Sequence, residues 1–447
     1  MIGRVSSASR RFYLWLGAAA TLGLGVRLAY ALHDKWHQLP RGDSGYYYYS
    51  AQAITQGHWF IDGLRWKFLH QGIHASAQHP PLYTLFLAIP SAFGFTTFRD
   101  AILASIVIGT ATVVVVGLAG RAIAGARIGI VAAFLAAIYA NLWVSDALVL
   151  SETLTALIVA VLVWVSYRFW KQPSWGNAGT FGLLCGLAAL TRGEVLLLLP
   201  IVGLPLAIGA RTLAPRVRGQ RLAVMVVAAA LPVMPWLTYN ISRFDKPVLF
   251  STDLDTALVS ANCQSTYYGT YLGWWDLACG SNRNANVKDE SDRASQLRSD
   301  ATHYIDSHKA RLPVVVVARI ARMWGLYRPG QTTNLNILEN GRGPRNVADL
   351  ALGEYYVLVV LAVGGIIMLR RRKTIVYPLV GLATVATLTA ILIYGNTRFR
   401  VVAEVGIVLA AAVPLAALWD RWWPSRSEVL EPGAAEQHAK PTAAAAP

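Results

Sequence analysis

The sequence predicts an all-α, polytopic integral membrane protein of about 10–11 transmembrane helices. Of its 447 residues 55% are hydrophobic and 14% charged, with a positive mean hydropathy, which is wrong for a soluble domain of this size. Apolar stretches near the roughly 20 residues that a bilayer core requires recur along the chain. The net charge of +16 lies largely in short stretches between them, where Lys and Arg mark the cytoplasmic side. No basic helix or aromatic-basic motif supports nucleic-acid binding, so the basic balance reads as topology.

The first apolar segment, 12–32, follows Arg4, Arg10 and Arg11. Its length, the internal Arg27 and the lack of a small-residue cleavage site make it a retained anchor and not a signal peptide. Further spans are expected at 101–123, 127–144, 148–170, 178–191, 194–210, 221–239, 351–369, 375–394 and 401–419. Basic loops around Arg121 and Arg127, Arg168 and Lys171, Arg211 to Arg221, Arg370 to Lys373, and Arg421 to Arg426 are expected in the cytoplasm. That leaves 33–80, 141–150, the turn from Thr191 to Glu194, 240–348 and 395–400 outside. The arrangement closes only if the short segment 81–95 does not cross; a re-entrant leg and a true span with a misassigned neighbour are both open.

The chain thus divides into an N-terminal transmembrane module, 1–240, with its first external loop at 33–80, and a large external loop, 241–348. Transmembrane helices at 349–423 follow, and then a tail at 424–447, rich in Ala, Pro and Glu and read as disordered and cytoplasmic. In the first loop a helix is expected from Ser44 to Gln56, lying at the interface where Tyr and Trp concentrate. The large loop should hold a polar helix at 289–309 and an interfacial one from Leu312 to Tyr327 carrying Arg319 and Arg322. Cys185 lies inside a span and reads as a packing residue. Cys263 and Cys279 share the large loop, where a disulfide would be worth on the order of 3 kcal/mol; two free thiols are the alternative.

Chemistry concentrates at the outer ends of the spans. Asp43 stands in Arg41-Gly42-Asp43-Ser44-Gly45 ahead of four tyrosines; it either caps the following helix or serves as a base. Asp146 and Glu152 flank the next outer turn, and Glu152 falls in an apolar segment where an ionised group costs about 3 kcal/mol unless it meets a partner or a wet cavity. Several carboxylates at one membrane face suit proton removal from a hydroxyl, one as base and another to orient. His79, in His79-Pro80-Pro81, either stiffens a turn or donates to an anion. Arg398 and Arg400 lie outside against the positive-inside bias, and Arg192 has Glu194 beside it. Such guanidinium groups either snorkel to headgroups or bind a lipid-linked phosphate. No Walker motif, Gly-rich nucleotide fingerprint or metal-ligand spacing is present, so no cofactor is required, although a carboxylate pair has room for a divalent cation.

Several stretches agree with one family. They are Gly42-Asp43 with its tyrosines, Gln78-His79-Pro80-Pro81-Leu82-Tyr83, Leu150-Ser151-Glu152-Thr153-Leu154 and Leu190-Thr191-Arg192-Gly193-Glu194. Pro235-Trp236 with Tyr239-Asn240, Pro247 to Thr252, and Thr397-Arg398-Phe399-Arg400 complete the set. In their order over about residues 10–420 the chain resembles the GT-C membrane glycosyltransferases, in particular bacterial relatives of the protein O-mannosyltransferases and the lipid A aminoarabinose transferase (glycosyltransferase family 39-like). The resemblance implies a GT-C architecture, a polyprenyl-phosphate sugar donor, an extracytoplasmic acceptor and inversion at the anomeric carbon. It makes Asp43 the base. His79, Asp146, Glu152, Arg192, Arg398 and Arg400 are then the expected substrate-binding residues. The sequence departs from the mannosyltransferase pattern where Ser44 follows Asp43 in place of a common Glu, and in the short chain after the last span. A transporter or flippase of polyprenyl-linked sugars is the competing expectation. It calls for pseudo-repeated halves that the sequence lacks.

Overall fold

The computed structural model describes residues 7–281 and 289–422, so the expected tail at 424–447 lies outside the described residues. Every regular element among them is helical apart from one isolated bridge between Ile61 and Ala75. Six helices are long and apolar enough to cross a membrane: Ser9–Lys35, Phe98–Ala124, Glu152–Lys171, Pro215–Arg243, Arg345–Arg371 and Thr397–Arg421. A bent pair, Ala126–Ile138 and Ala140–Leu148, makes a seventh. The other expected spans form shorter helices, Trp175–Ala189, Gly193–Gly209 and Tyr377–Leu392. Full-length helices are therefore fewer than expected, because hydropathy reads apolar length and not backbone regularity. Pro200 and Pro205 divide Gly193–Gly209 into 3-10, π and α turns.

Burial sorts these helices into centre and rim. The apolar window of Thr397–Arg421 is 78% buried and that of Glu152–Lys171 72%, against 22% for Pro215–Arg243, so the first two form the centre of the bundle. The bent pair turns by 63° at Tyr139, where a straight span was expected. Its freed backbone groups are satisfied by side chains: the Glu354 carboxylate accepts from Ala140 N–H at 2.8 Å, and Trp143 Nε1 donates to the Ile138 carbonyl at 2.7 Å. A broken helix at membrane depth requires such partners.

Asp146 follows this bend. Its carboxylate meets Arg27 Nε of the first span at 2.7 Å and Thr153 Oγ1 at 2.8 Å, and both charged side chains are 1% exposed. The two charges account for each other, and Asp146, an expected substrate-binding residue, is paired inside the bundle. Gly109 permits the pair, since a Cβ there would collide with the Asp146 carboxylate.

At one end of the bundle, called here the loop face, helix Gly42–Thr55 packs on the short helix Leu82–Ala92. Tyr48 Oη and Gln52 Nε2 both donate to the Thr96 carbonyl at 2.7 Å. Leu82 N–H bonds the Leu190 carbonyl, and Arg99 Nε bonds that of Trp36 just past the first span. Both ends of Leu82–Ala92 thus lie at the loop face. Its eleven residues reach about 16 Å, half a bilayer core, so it does not cross. One face of helix Gly42–Thr55 is covered by protein: Tyr46, Tyr47, Ala51 and Ile54 are all buried.

The large loop carries Asp253–Ala261, Glu290–Ser307, Leu312–Met323 and Pro329–Asn340. Cys263 and Cys279 are joined in a disulfide, with Cα atoms 6.4 Å apart. Leu312–Met323 turns Arg319 and Arg322 inward with Val315, and Val314 and Val317 outward. Arg319 Nη2 donates to the Ala261 carbonyl and Arg322 Nε to that of Leu272, whereas Val314 and Val317 are exposed. These two arginines organise the loop by satisfying carbonyls that no regular element reaches.

Two outcomes are expected. Arg27→Met leaves Asp146 buried and unpaired and should cost about 3–5 kcal/mol, whereas Arg27→Met with Asp146→Leu should recover most of it. Thermal unfolding in detergent measures both; equal loss in single and double variants would contradict the pairing. Thiol labelling of the denatured chain should reach Cys185 alone without reductant and two further groups after reduction. Labelling of all three without reductant would exclude the disulfide.

Candidate functional site

A cluster at the loop face draws on four separated stretches. Glu152 opens one central helix, and Arg398 sits in the 3-10 turn Thr397–Arg400 that leads into the other. Arg398 Nε donates to Glu152 Oε1 at 2.5 Å, Nη2 to Asp43 Oδ2 at 2.8 Å and Nη1 to Asn340 Oδ1 at 2.7 Å. One planar guanidinium thus joins the first loop, two central helices and the end of the large loop, a geometry that a lysine cannot reproduce.

Asp43 is free to take part because it does not cap its helix. The helix begins at Gly42, and the Ser44 hydroxyl accepts the Arg41 N–H at 3.1 Å, so Ser44 closes the first turn. The Asp43 carboxylate is 30% exposed, with Oδ1 3.5 Å from His79 Nε2. Burial acts to raise its pKa, but the Arg398 charge, with His79, outweighs that and holds Asp43 well below the usual carboxylate range.

His79 is placed by its neighbours in sequence. Thr252 and Asp253 N–H groups bond the carbonyls of Ala77 and Gln78, and Ala77 N–H bonds the Glu290 carboxylate at 3.1 Å. The His79 ring stacks on Tyr47 at 4.9 Å and meets the edge of Tyr46 at 5.1 Å. Burial acts to lower its pKa, and Asp43 overcomes this, so that the pKa stands above its ordinary value. Asp253 also faces His79; burial raises the Asp253 pKa, with His79 opposing.

Arg192 reaches the same cluster, with Nε 2.7 Å from Glu194 Oε1 and Nη1 3.3 Å from Glu152 Oε1. Five of the expected residues, Asp43, His79, Glu152, Arg192 and Arg398, therefore come together. Arg400 does not: it is 2% exposed, donates from Nε to Glu404 Oε1 at 2.5 Å and stacks 3.4 Å over the Tyr355 ring. It belongs to an internal pair that also takes Tyr139 Oη on Glu404, and so stands outside the cluster. Asn340, Asp253 and Arg342 were not anticipated; none stands in a motif that would have marked it. For a cation, the three carboxylates Asp245, Asp289 and Asp292 have ligand atoms within 4.8 Å of one another, and Asp289 also caps Glu290–Ser307.

Fold and site together define a polytopic helical membrane protein with an acid–arginine cluster at one end of its bundle. The architecture is consistent with GT-C. A family model described as "Dolichyl-phosphate-mannose-protein mannosyltransferase" matches residues 78–239. The oligosaccharyltransferase of Archaeoglobus fulgidus, with a tethered acceptor peptide, superposes at a TM-score of 0.55 with 15% identity, covering 92% of this chain and 50% of that one. The same archaeal protein in complex with an inhibitory peptide and a dolichol-phosphate gives 0.51, with 16% identity over 94% and 53%. ArnT from Cupriavidus metallidurans bound to undecaprenyl phosphate gives 0.44, with 15% identity over 93% and 80%. The chain spans about half the length of the archaeal structures it matches. No curated protein sequence matches it.

The electrostatics lead to a titration prediction. In Asp43→Asn the burial of His79 is no longer offset by a carboxylate at 3.5 Å, so its pKa should fall from above the ordinary 6.5 to below it. Histidine hydrogen exchange followed by mass spectrometry reads this shift. An unchanged His79 profile would mean that Asp43 does not control it.

Proposed function

We propose that this chain is an inverting membrane glycosyltransferase that moves one sugar from a polyprenyl-phosphate carrier to an acceptor hydroxyl at the extracytoplasmic face. The acceptor would belong to a cell-wall glycan, a glycolipid or a protein. The acceptor oxygen attacks the anomeric carbon opposite the phosphate. The bond from carbon to phosphate oxygen breaks, and its electron pair leaves with the polyprenyl phosphate. Asp43 takes the hydroxyl proton. Glu152, wholly buried, fixes Arg398 and through it the carboxylate of Asp43.

The observation that carries this reading is the state of Asp43: a part-exposed carboxylate, ionised by Arg398 and His79, at the loop face of a membrane bundle. A proton acceptor must be deprotonated at working pH and within reach of substrate. Further support comes from the description of the family model over 78–239 and from the dolichol-phosphate held by an archaeal protein of the same fold. Arg121, Arg127, Arg168 and Lys171 lie at the far ends of the helices, which favours the loop face as extracytoplasmic. Arg398 and Arg192 would supply positive potential where charge develops on the leaving phosphate.

Asp43→Asn keeps size and removes basicity. With a panel of short-chain polyprenyl-phosphate sugars, transfer by the purified variant should fall by about 100-fold or more while the fold persists. Near-normal turnover would remove Asp43 as base. The glycolipid and cell-wall glycan profiles of a deletion strain, set against the parent, would identify the acceptor.

A further inference from the structure

The arginines expected to meet a phosphate already have acids of their own. Arg398 has Asp43 and Glu152, Arg192 has Glu194 and Glu152, and Arg400 has Glu404. Other cations of the loops have no bonded acid among the described residues; Arg243, Arg319 and Arg322 each spend their donors on several carbonyls and side-chain acceptors, whereas Arg342 and Lys35 each make one side-chain hydrogen bond. Arg342 Nη1 donates to the Ser145 hydroxyl at 3.0 Å, and Lys35 Nζ donates to the Gly341 carbonyl at 2.8 Å. The first opposing charge that Arg342 feels is Glu152, which already serves two guanidinium groups. Lys35 is 9% exposed; its ammonium bonds a neutral carbonyl, lies 5.8 Å from the Tyr30 ring centroid and has its sequence neighbour Asp34 as an unbonded opposing charge. A half-buried guanidinium and a buried ammonium without a bonded acid represent donor capacity left open.

The placement of the two cations is built into the fold. Gly341 ends helix Pro329–Asn340 in the left-handed region at φ 67°, which turns the chain toward the bundle. Tyr30 Oη then holds the Gly343 carbonyl at 2.7 Å, and Gln38 Nε2 holds that of Ala147 at 2.7 Å. The end of the first span, the turn at Ser145–Ala147 and the loop 341–343 are thereby fastened together. Asn340, at the root of that loop, bonds Arg398 at 2.7 Å and ties the pair to the catalytic cluster.

We propose that Arg342 and Lys35 are the residues that hold the phosphate of the lipid-linked donor, leaving Arg398 to orient Asp43 and Glu152. This rests on the glycosyl-transfer reading above and names the ligand contacts within it. The guanidinium offers a fork to two phosphate oxygens and the ammonium a point charge to a third. Lys35 ends the span Ser9–Lys35, so the phosphate would sit at headgroup depth with its prenyl chain beside the bundle.

The test uses the full chain in detergent and geranylgeranyl monophosphate as the probe, with affinity read from intrinsic tryptophan fluorescence. Arg342→Gln and Lys35→Gln should each weaken binding by about 10-fold or more, the scale of a lost charge-assisted contact. Arg342→Lys should fall between Arg342→Gln and the unmodified protein. It also keeps the test open should Arg342→Gln not fold. Excess phosphatidylglycerol should not displace the probe. Tight binding by the unmodified protein with unchanged affinity in all three variants would overturn the pair and leave the glycosyl-transfer reading standing. No binding by the unmodified protein would overturn both. Displacement by phosphatidylglycerol would make the pair a general headgroup contact and overturn its assignment to the donor.

Discussion

Four separated stretches of the chain meet on one guanidinium. Arg398 lies 355 residues from Asp43 and 246 from Glu152 in sequence, and its fork closes both distances at once. Each acid alone would be awkward where it stands: Glu152 opens an apolar helix with no exposed side-chain surface, and Asp43 stands in the first turn of a helix packed through Tyr46 and Tyr47. Two carboxylates sharing a cation cost less to bury than either alone, because the positive charge offsets desolvation and separates the negative ones. The central helix pair, the first loop and the end of the large loop are held in one register by this contact. The same contact gives Asp43 its ionisation.

Ion pairing also sorts the remaining intramembrane charge. Arg27 with Asp146 and Arg400 with Glu404 are closed pairs, each at most 2% exposed and each saturated by local groups. In a medium without water such pairs hold helices together and leave no capacity for a ligand. The loop-face cluster differs, because Asp43 keeps part of its surface and Glu152 Oε2 has no hydrogen-bond partner. Exposure and unmet capacity, more than charge itself, separate a site from a brace.

Much of the fold was legible because bilayer physics writes it in composition. The apolar segments appear as helices near the expected positions, and the helix expected at 289–309 forms as Glu290–Ser307. Asp43 and Glu152, which Arg398 brings together, stood out in the sequence by their surroundings, a glycine and tyrosines for one and an apolar run for the other. That Asp146 and Arg400 lie in closed pairs was less legible, for a reason the same physics supplies. An arginine inside the first span requires an acid somewhere, and a sequence cannot say which; Asp146 lies 119 residues away. Glu404, four residues after Arg400 on one helix face, was the local signal that Arg400 was already occupied. The bend at Tyr139 left no trace in hydropathy, since its caps, Glu354 and Trp143, come from outside the broken turn. Arg342 lies between two glycines in an irregular loop. Only the folded chain brings its loop to Lys35, through the Gly341 carbonyl.

The proposed chemistry places two demands on Asp43 that pull apart. A base must be ionised, which Arg398 and His79 secure, yet the same cations lower its affinity for the proton it is to receive. The conflict eases if the bond to the leaving phosphate breaks well ahead of proton transfer. The acceptor hydroxyl then becomes acidic as its oxygen bonds to a cationic anomeric carbon, and a weak base suffices at that late stage. Such a reaction depends more on stabilising the departing phosphate than on the strength of the base. A protein using it would keep Arg398 on the carboxylates and set other cations on the phosphate. That division of labour is the one the uncommitted donors of Arg342 and Lys35 allow, and it explains why Arg398 can be fully engaged in the resting protein without blocking the reaction.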